Sequence, residues 1–100
     1  MANGRSYTGV SVTNDHLYVA GGSRHGKALT SVECYDPVEN SWRPKAPMKM
    51  KRYSHCLAAY KGFLFAIGGD NNENNTYMPI ERYDPRIDTW TSVFHPMHLI

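Results

Sequence analysis

The chain contains two copies of one sequence pattern, and this repeat restricts the fold more than any other feature. Residues 5–22, RSYTGVSVTNDHLYVAGG, align with residues 52–69, RYSHCLAAYKGFLFAIGG, at an offset of 47 residues. Residues 32–42, VECYDPVENSW, align with residues 80–90, IERYDPRIDTW, at an offset of 48 residues. The one-residue drift marks an insertion, and insertions in a repeat architecture are expected in loops.

Each copy is predicted to form four short strands and no helix. Runs of β-branched and aromatic residues are separated by Gly, Asn, Asp and Pro, which is typical of antiparallel strands. The connections Asn14-Asp15 and Lys61-Gly62 have the two-residue length of a tight hairpin. In the YDP sequences, Pro fixes φ for a turn and Asp can accept backbone N–H bonds. The predicted strands are 7–13, 16–20, 31–35 and 41–45 in the first copy, and 54–60, 63–67, 79–83 and 89–94 in the second.

The pattern from Arg5 to Met97 resembles the kelch repeat, whose period is about 50 residues. The resemblance rests on a glycine pair followed at fixed spacing by a Tyr and a Trp, and these residues are predicted to be structural. It implies an all-β fold with two four-stranded antiparallel kelch blades of an incomplete β-propeller. Residues 1–51 form the first predicted blade, and residues 52–100 form the second, which is truncated before a following repeat. The residues that carry the resemblance are Gly21, Gly22, Tyr35, Trp42, Gly68, Gly69, Tyr83 and Trp90.

Composition and charge exclude several classes of function. The chain is 41% hydrophobic, which predicts a globular protein. Its net charge of +2 is too small to produce an electrostatic field that would attract nucleic acid or anionic membranes to the whole molecule. No apolar run reaches the length of about 20 residues that a membrane span needs. Two cysteines without CxxC spacing favour a reducing compartment, so we expect the protein in the cytoplasm, with the nucleus as an alternative.

The sequence predicts no catalytic site and no metal site, and we expect no cofactor. Residues 21–28, GGSRHGKA, approach a phosphate-binding loop, but Ala28 lacks the required hydroxyl and a strand is predicted to follow. The five histidines lack the spacing of zinc ligands. His55 and Cys56 are adjacent in a predicted strand and would point to opposite faces. We therefore expect a protein that is not an enzyme.

Antiparallel strand order places the long connections on one rim of the blades. These loops mix Arg, Tyr, Ser, His and Asn, side chains that suit peptide recognition. Residues 43–52, RPKAPMKMKR, hold five of the eleven basic residues and no acid, so an acidic peptide is one candidate partner; a solvated connection is the alternative. The predicted partner-binding residues are Arg5, Ser6, Tyr7, Arg24, His25, Arg52, Tyr53, Ser54, Asp70, Asn71, Asn72 and Tyr77.

The kelch resemblance implies a protein-interaction module. One expectation is a substrate adaptor of a cullin–RING ubiquitin ligase, which acts in the ubiquitin-conjugation pathway. Such an adaptor would bind the cullin only through BTB and BACK segments, which are absent from residues 1–100. The alternative is an actin-associated protein with a cytoskeletal role. Propellers close with typically four to eight blades, so two blades indicate a fragment of a longer chain or a unit that self-assembles. We also expect Arg52→Ala to weaken peptide binding without changing the melting temperature.

Overall fold

The computed structural model describes residues 4–73 and 78–93, and the regular structure in these ranges is entirely β. Eight of the ten strands correspond in order to the eight predicted strands, with ends that differ by at most two residues. The other two, β3 and β4, form a small hairpin in a segment that was predicted as a loop. The strands are β1 Gly9–Thr13, β2 His16–Ala20, β3 Ser23–Arg24, β4 Lys27–Ala28, β5 Val32–Asp36, β6 Ser41–Lys45, β7 Cys56–Tyr60, β8 Phe63–Ile67, β9 Glu81–Asp84 and β10 Thr89–Ser92.

Two antiparallel sheets of four strands each confirm the prediction of two kelch-like blades. Blade 1 has the order β1-β2-β5-β6 and blade 2 has the order β7-β8-β9-β10, so each sheet runs up and down in sequence. The repeat is also present in the register, because Tyr35 lies opposite Trp42 in blade 1 and Tyr83 lies opposite Trp90 in blade 2. Within residues 4–73 and 78–93, the sheets do not form a closed barrel.

Backbone conformation explains where the first strand of each blade begins. The predicted strands started at Tyr7 and Ser54, but the observed ones start two residues later, at Gly9 and Cys56. Tyr7 and Ser54 have φ values of 56° and 55°, and a left-handed residue interrupts an extended chain. The predicted start at Ser54 was therefore wrong, as was the start at Tyr7. The last predicted residue of the final strand, Phe94, lies outside the described residues.

The short turns have the predicted chemistry. Asn14 and Asp15 have φ values of 52° and 62°, and both central residues of a type I′ hairpin turn need positive φ. In the first YDP turn, Asp36 Oδ1 accepts hydrogen bonds from the backbone N–H of Val38 at 2.9 Å and of Glu39 at 3.3 Å. These two bonds, with that of Arg43 as a smaller cause, hold the pKa of the Asp36 carboxyl below its usual value. The sequence-based interpretation of this turn is confirmed.

The hydrophobic core lies between the two blades. Blade 1 contributes Tyr18, Ala20, Val32 and Cys34 from its central strands, and Met48 adds a side chain from the connection. Blade 2 contributes Leu57, Leu64, Ala66, Tyr83 and Trp90. The rings of Tyr18 and Tyr83 meet edge-on with centroids 5.8 Å apart, which is a favoured arrangement for aromatic pairs. The Trp90 indole N–H donates to the Ala46 carbonyl at 2.8 Å, so its polar atom is satisfied where it is buried.

Candidate functional site

The candidate site is the rim at which β1 and β7 begin and β2 and β8 end. We call it the long-loop rim and define it by residues 4–8, 21–31, 46–55, 68–73 and 78–80. The opposite, short-turn rim carries the hairpin turns and the YDP turns. A small cleft of about 290 Å³ lies on the short-turn rim, and a larger one of about 650 Å³ lies on the long-loop rim.

Arg52 was predicted to contact a partner, but the structure gives it a structural role. Its side chain is fully buried and its guanidinium binds the Glu81 carboxylate, with Nε and Nη2 at 3.2 and 3.1 Å from Oε2. The guanidinium also donates to the carbonyl oxygens of Gly68, at 3.1 Å, and of Pro79. A buried guanidinium that makes four hydrogen bonds to three acceptor atoms of its own blade cannot reach a partner, so the prediction for Arg52 is corrected.

Arg5 repeats this arrangement in blade 1. Its side chain is fully buried, and Nη2 lies 2.6 Å from Glu33 Oε2. Nη1 donates to the carbonyls of Gly21 at 3.0 Å and Ser31 at 2.9 Å. Each arginine therefore joins the segment before the first strand of a blade to the third strand of the same sheet, and Arg5 is also removed from the predicted partner site.

Glu33 and Glu81 are the residues that sequence reasoning missed. Both are buried, and a buried carboxylate needs a positive partner and further hydrogen bonds. Glu81 has both, because its two oxygens also accept the backbone N–H of Lys49 at 2.6 Å and of Met50 at 3.1 Å. The signal was present in the sequence, since Glu33 and Glu81 align in the repeat as Arg5 and Arg52 do.

Ser6, Tyr7 and Ser54 come together on the rim through backbone bonds. Ser6 and Ser23 exchange two hydrogen bonds of 2.9 and 2.7 Å, which attach the start of the chain to β3. The N–H of Ser54 donates to the Tyr7 carbonyl at 2.9 Å across the two blades. The Tyr7 side chain is 69% exposed, so it is accessible to a partner. Arg24 and His25 are also exposed, at the tip of the β3–β4 hairpin.

Blade 2 presents its predicted site residues unequally. Tyr53 and Asp70 exchange two backbone hydrogen bonds of 2.9 Å. Partial desolvation and the neighbouring Asp70 carboxylate raise the pKa of the Tyr53 phenol. Asn71 is only 4% exposed and its Oδ1 accepts the N–H of Glu73, but it lines the larger cleft, so its contact with a partner stays a prediction. Asn72 is exposed, and Tyr77 lies outside the described residues.

The larger cleft on the long-loop rim lies between the blades. The β3–β4 hairpin of blade 1 forms one wall, and the loop after β8 of blade 2 forms the other. A 2.6 Å hydrogen bond from the Ala28 N–H to Asn72 Oδ1 joins these walls. Lys27 and Lys51 line the cleft together with Glu73, and both lysines are exposed. The sequence placed both lysines on the rim, but they were not among the predicted site residues. Their proximity depends on the packing of one blade on the other, which the sequence does not show.

His55 closes the interface just inside this rim. Its Nδ1 and Nε2 atoms are buried without a hydrogen-bond partner among the described residues. A side-chain carbon at Gly9 would lie 2.6 Å from Nε2, and one at Gly21 would lie 2.9 Å from Cε1, so the ring fits only because both positions are glycine. Burial, and secondarily the charge of Arg52, lower the pKa of His55 to about 4, which keeps the imidazole neutral near pH 7.

Comparison with known proteins decides the family. The model of the Kelch motif matches residues 4–49 and again residues 51–93. This chain belongs to the Kelch-motif family. Kelch-like protein 23 of Mus musculus is 37% identical over 78 residues, which is 77% of this chain and 13% of the relative. Kelch-like protein 11 of Homo sapiens is 36% identical over 81 residues, 81% of this chain and 11% of the relative.

A third relative, Kelch repeat and BTB domain-containing protein 2 of Homo sapiens, is 36% identical over 105 residues, with 85% of this chain and 17% of the relative covered. The chain thus spans less than a fifth of the length of these relatives. Kelch repeats generally mediate protein–protein interaction. Within residues 4–73 and 78–93, no group of three or more His, Cys, Asp or Glu is arranged to hold a metal ion. The same residues include no helix long and apolar enough to cross a membrane.

Proposed function

We propose that the cleft on the long-loop rim binds an acidic segment of a protein partner. The observation that carries this proposal is that Lys27 of blade 1 and Lys51 of blade 2 line one cleft of about 650 Å³. Two ammonium groups at a groove attract carboxylates and give charge-assisted hydrogen bonds. Glu73 also lines the cleft, so the partner's acidic side chains would be expected nearer to the lysines than to that edge.

The walls of this cleft are fixed before a partner arrives. The β3–β4 hairpin is held to the start of the chain by the Ser6–Ser23 bonds and to blade 2 by the Ala28–Asn72 bond. A site built on such fixed segments loses little conformational entropy on binding, which favours affinity. Exposed Tyr7, Arg24 and His25 extend the same rim and supply adaptable contacts around the cleft.

We further propose that the whole protein is a substrate adaptor of a cullin–RING ubiquitin ligase. Support comes from the family, and from one relative whose name combines Kelch repeats with a BTB domain. In such an adaptor the Kelch blades hold the substrate, and BTB and BACK segments, which do not lie within residues 1–100, contact the cullin. We place the protein in the cytoplasm or nucleus, where the unpaired thiols of Cys34 and Cys56 would stay reduced.

The test measures binding of fluorescent acidic and basic peptides to the 100-residue chain by anisotropy. We expect the acidic peptides to bind, and the double variant Lys27→Glu and Lys51→Glu to lose about tenfold in affinity, or about 1.4 kcal/mol. Raising the salt concentration should weaken peptide binding by the wild type more than binding by the variant, because salt screens the two lysine charges that the variant no longer has. Lys61→Glu is the matched control, since Lys61 lies on the short-turn rim.

An equal loss with Lys61→Glu would show a general charge effect and contradict the assignment of the cleft. Actin filaments are the alternative partner, and cosedimentation with them tests the cytoskeletal role. Cosedimentation that survives the double lysine variant would favour the actin-associated alternative and would place its contact outside the cleft.

A further inference from the structure

The short-turn rim carries a cleft of about 290 Å³ that the proposed peptide site does not use. Its walls belong to both blades, since β2, β5 and β6 of blade 1 face the YDP turn of blade 2 across it. The cleft therefore lies between two sheets that are packed on each other, and it does not involve the outer faces of the pair. We call it the short-turn cleft, and its polar lining residues are Asn14, His16, Tyr18, Cys34, Lys45 and Arg86.

Two of the lining residues, Tyr18 and Cys34, are buried polar groups. They lie opposite each other on β2 and β5, and each is only 4% exposed. The Tyr18 hydroxyl faces the Cys34 thiol, which is a weak acceptor, and among the described residues it has no stronger acceptor bonded to it. Burial raises the pKa of Tyr18 to about 12 and raises the pKa of Cys34, so both groups keep their protons near pH 7. A buried hydroxyl that lacks a good acceptor is uncommon, and it suits a ligand that accepts hydrogen bonds.

Two cations border the same cleft. Lys45, the last residue of β6, takes part in none of the ion pairs of residues 4–73 and 78–93. Its positive charge acts on the Cys34 thiol, so it reaches the buried polar side of the cleft. Arg86 lies in the YDP turn of blade 2, where Asp84 holds its guanidinium with Nε–Oδ1 and Nη2–Oδ2 distances of 3.1 and 3.0 Å. Because Asp84 balances the charge of Arg86, Lys45 supplies the net positive charge and Arg86 supplies further N–H donors.

The other acids near the cleft are already bonded. Asp88 Oδ1 accepts the Tyr83 hydroxyl at 2.6 Å and the Ala46 N–H at 2.9 Å. Asp36 Oδ1 accepts two amides of its own turn, and its Oδ2 lies 3.3 Å from Arg43 Nε. Among the described residues, no acid lines the cleft itself. The side-chain donors that blade 1 presents to the cleft are therefore not occupied by a carboxylate of this chain.

Comparison of the two repeats shows that blade packing does not require these polar groups. In the first repeat, three polar residues of the cleft lie on the sheet face that packs on blade 2, and the second repeat has apolar residues at the same positions. The corresponding pairs are His16 and Phe63, Tyr18 and Phe65, and Lys45 and Val93. Polar side chains at positions where the fold accepts aromatic and aliphatic ones indicate a role other than packing.

We propose that the short-turn cleft binds a small molecule through a phosphate or carboxylate group. The Tyr18 hydroxyl and the Lys45 ammonium donate to the oxyanion, and Arg86 adds N–H donors at the edge; hydrogen bonds to a charged acceptor are the strong ones. The volume of about 290 Å³ is at the lower limit of small-molecule sites, which span about 300–1,000 Å³, and it is too small for a peptide segment. This inference concerns the rim opposite to the proposed peptide site and does not depend on it.

The test follows the amide signals of the isotope-labelled 100-residue chain by NMR. The chain is titrated with inorganic phosphate and, separately, with acetate, at an ionic strength held constant with sodium chloride. We expect saturable shifts at Tyr18, Cys34 and Lys45. Tyr18→Phe removes only the hydroxyl and should weaken binding of the preferred anion at least about threefold, and Lys45→Met should weaken it about tenfold. Urea denaturation checks that both variants are folded, which we expect because the second repeat has apolar residues at both positions.

Two controls locate the bound anion. Lys61→Met changes an exposed lysine on the same rim that does not line the cleft, and it should bind the anion as the wild type does. The double variant Lys27→Glu and Lys51→Glu separates this site from the peptide site, because it should lose peptide binding and keep the shifts at Tyr18.

A stronger response to phosphate assigns a phosphorylated small molecule to the cleft, and a stronger response to acetate assigns a carboxylic acid. Shifts that do not saturate, or binding that either Tyr18→Phe or Lys45→Met leaves unchanged, would overturn the proposal. Shifts at Tyr18 that disappear in the double lysine variant would overturn it as well, because the anion would then bind at the long-loop rim.

Discussion

The role of Arg52 gives the sharpest test of the structure. The substitution Arg52→Met keeps much of the side-chain volume but removes the positive charge, so the Glu81 carboxylate stays buried without its counter-ion. Breaking a buried ion pair from one side typically costs about 3–5 kcal/mol. The two backbone N–H groups that Glu81 retains, from Lys49 and Met50, favour the lower part of this range. The loss is a large fraction of the about 5–15 kcal/mol by which a domain is stable.

Urea denaturation followed by tryptophan fluorescence measures this loss. With a denaturant slope of about 1–3 kcal/mol per molar, we expect the midpoint to fall by at least about 1 M. The double variant Arg52→Met, Glu81→Leu removes both charges and should recover part of the stability, because no unpaired charge stays buried but the amides of Lys49 and Met50 lose their acceptor. A single-variant loss below about 1 kcal/mol, or lost peptide binding at unchanged stability, would refute the structural role and return Arg52 to the partner site.

Two further predictions concern the interface between the blades. Since the pKa of His55 is lowered from 6.5 to about 4, its contribution to stability is fully present above pH 6.5 and is lost as the pH falls toward 4. The shift in the His55 pKa corresponds to about 3 kcal/mol of stability, and solvent screening reduces this to roughly 1–2 kcal/mol. Thermal melting at several pH values measures the effect. The melting temperature of His55→Asn should lose this pH dependence, whereas that of the exposed control His16→Asn should keep it. In the same urea assay, Gly21→Ala should destabilise the protein by at least about 1 kcal/mol more than Gly68→Ala. Both substitutions place a side chain at a positive φ, but only the one at Gly21 also meets crowded neighbours. Equal losses of stability would show that the blades are not in tight contact at Gly21.

The sequence was sufficient for the strands and their turns, since these depend on local patterns. Alternation of apolar residues and turn residues such as Asn14-Asp15 specify strand and hairpin within a few positions. The β3–β4 hairpin was missed because its strands have only two residues each, too few for a visible alternation. Positive φ at His25 and Gly26 is what turns the chain there.

The site was less predictable because exposure depends on distant residues. Arg52 lies in a basic, loop-like segment, and nothing within that segment indicates that its side chain turns inward to Glu81, 29 residues away. Tyr35 and Tyr83 show the same limit, since their local sequences nearly match but only Tyr83 is fully buried by a neighbouring sheet. The cleft with Lys27 and Lys51 likewise exists only after two blades have packed.

The connection between the blades is held by two different kinds of bond. Blade 1 binds it through backbone atoms, with Met48 and Arg52 N–H donating to the carbonyls of Thr30 and Leu29. Blade 2 binds the first half of the connection, residues 46–50, through side chains: Asp88 accepts the Ala46 N–H at 2.9 Å, Glu81 accepts two more amides, and the Trp90 N–H donates to the Ala46 carbonyl. Backbone bonds tolerate changes of sequence, whereas these side chains do not. The contacts of blade 2 with this half of the connection are thus specified by its own side chains, and a chimera that exchanged blade 1 for another family member's repeat would keep them provided that glycine stayed at positions 9 and 21.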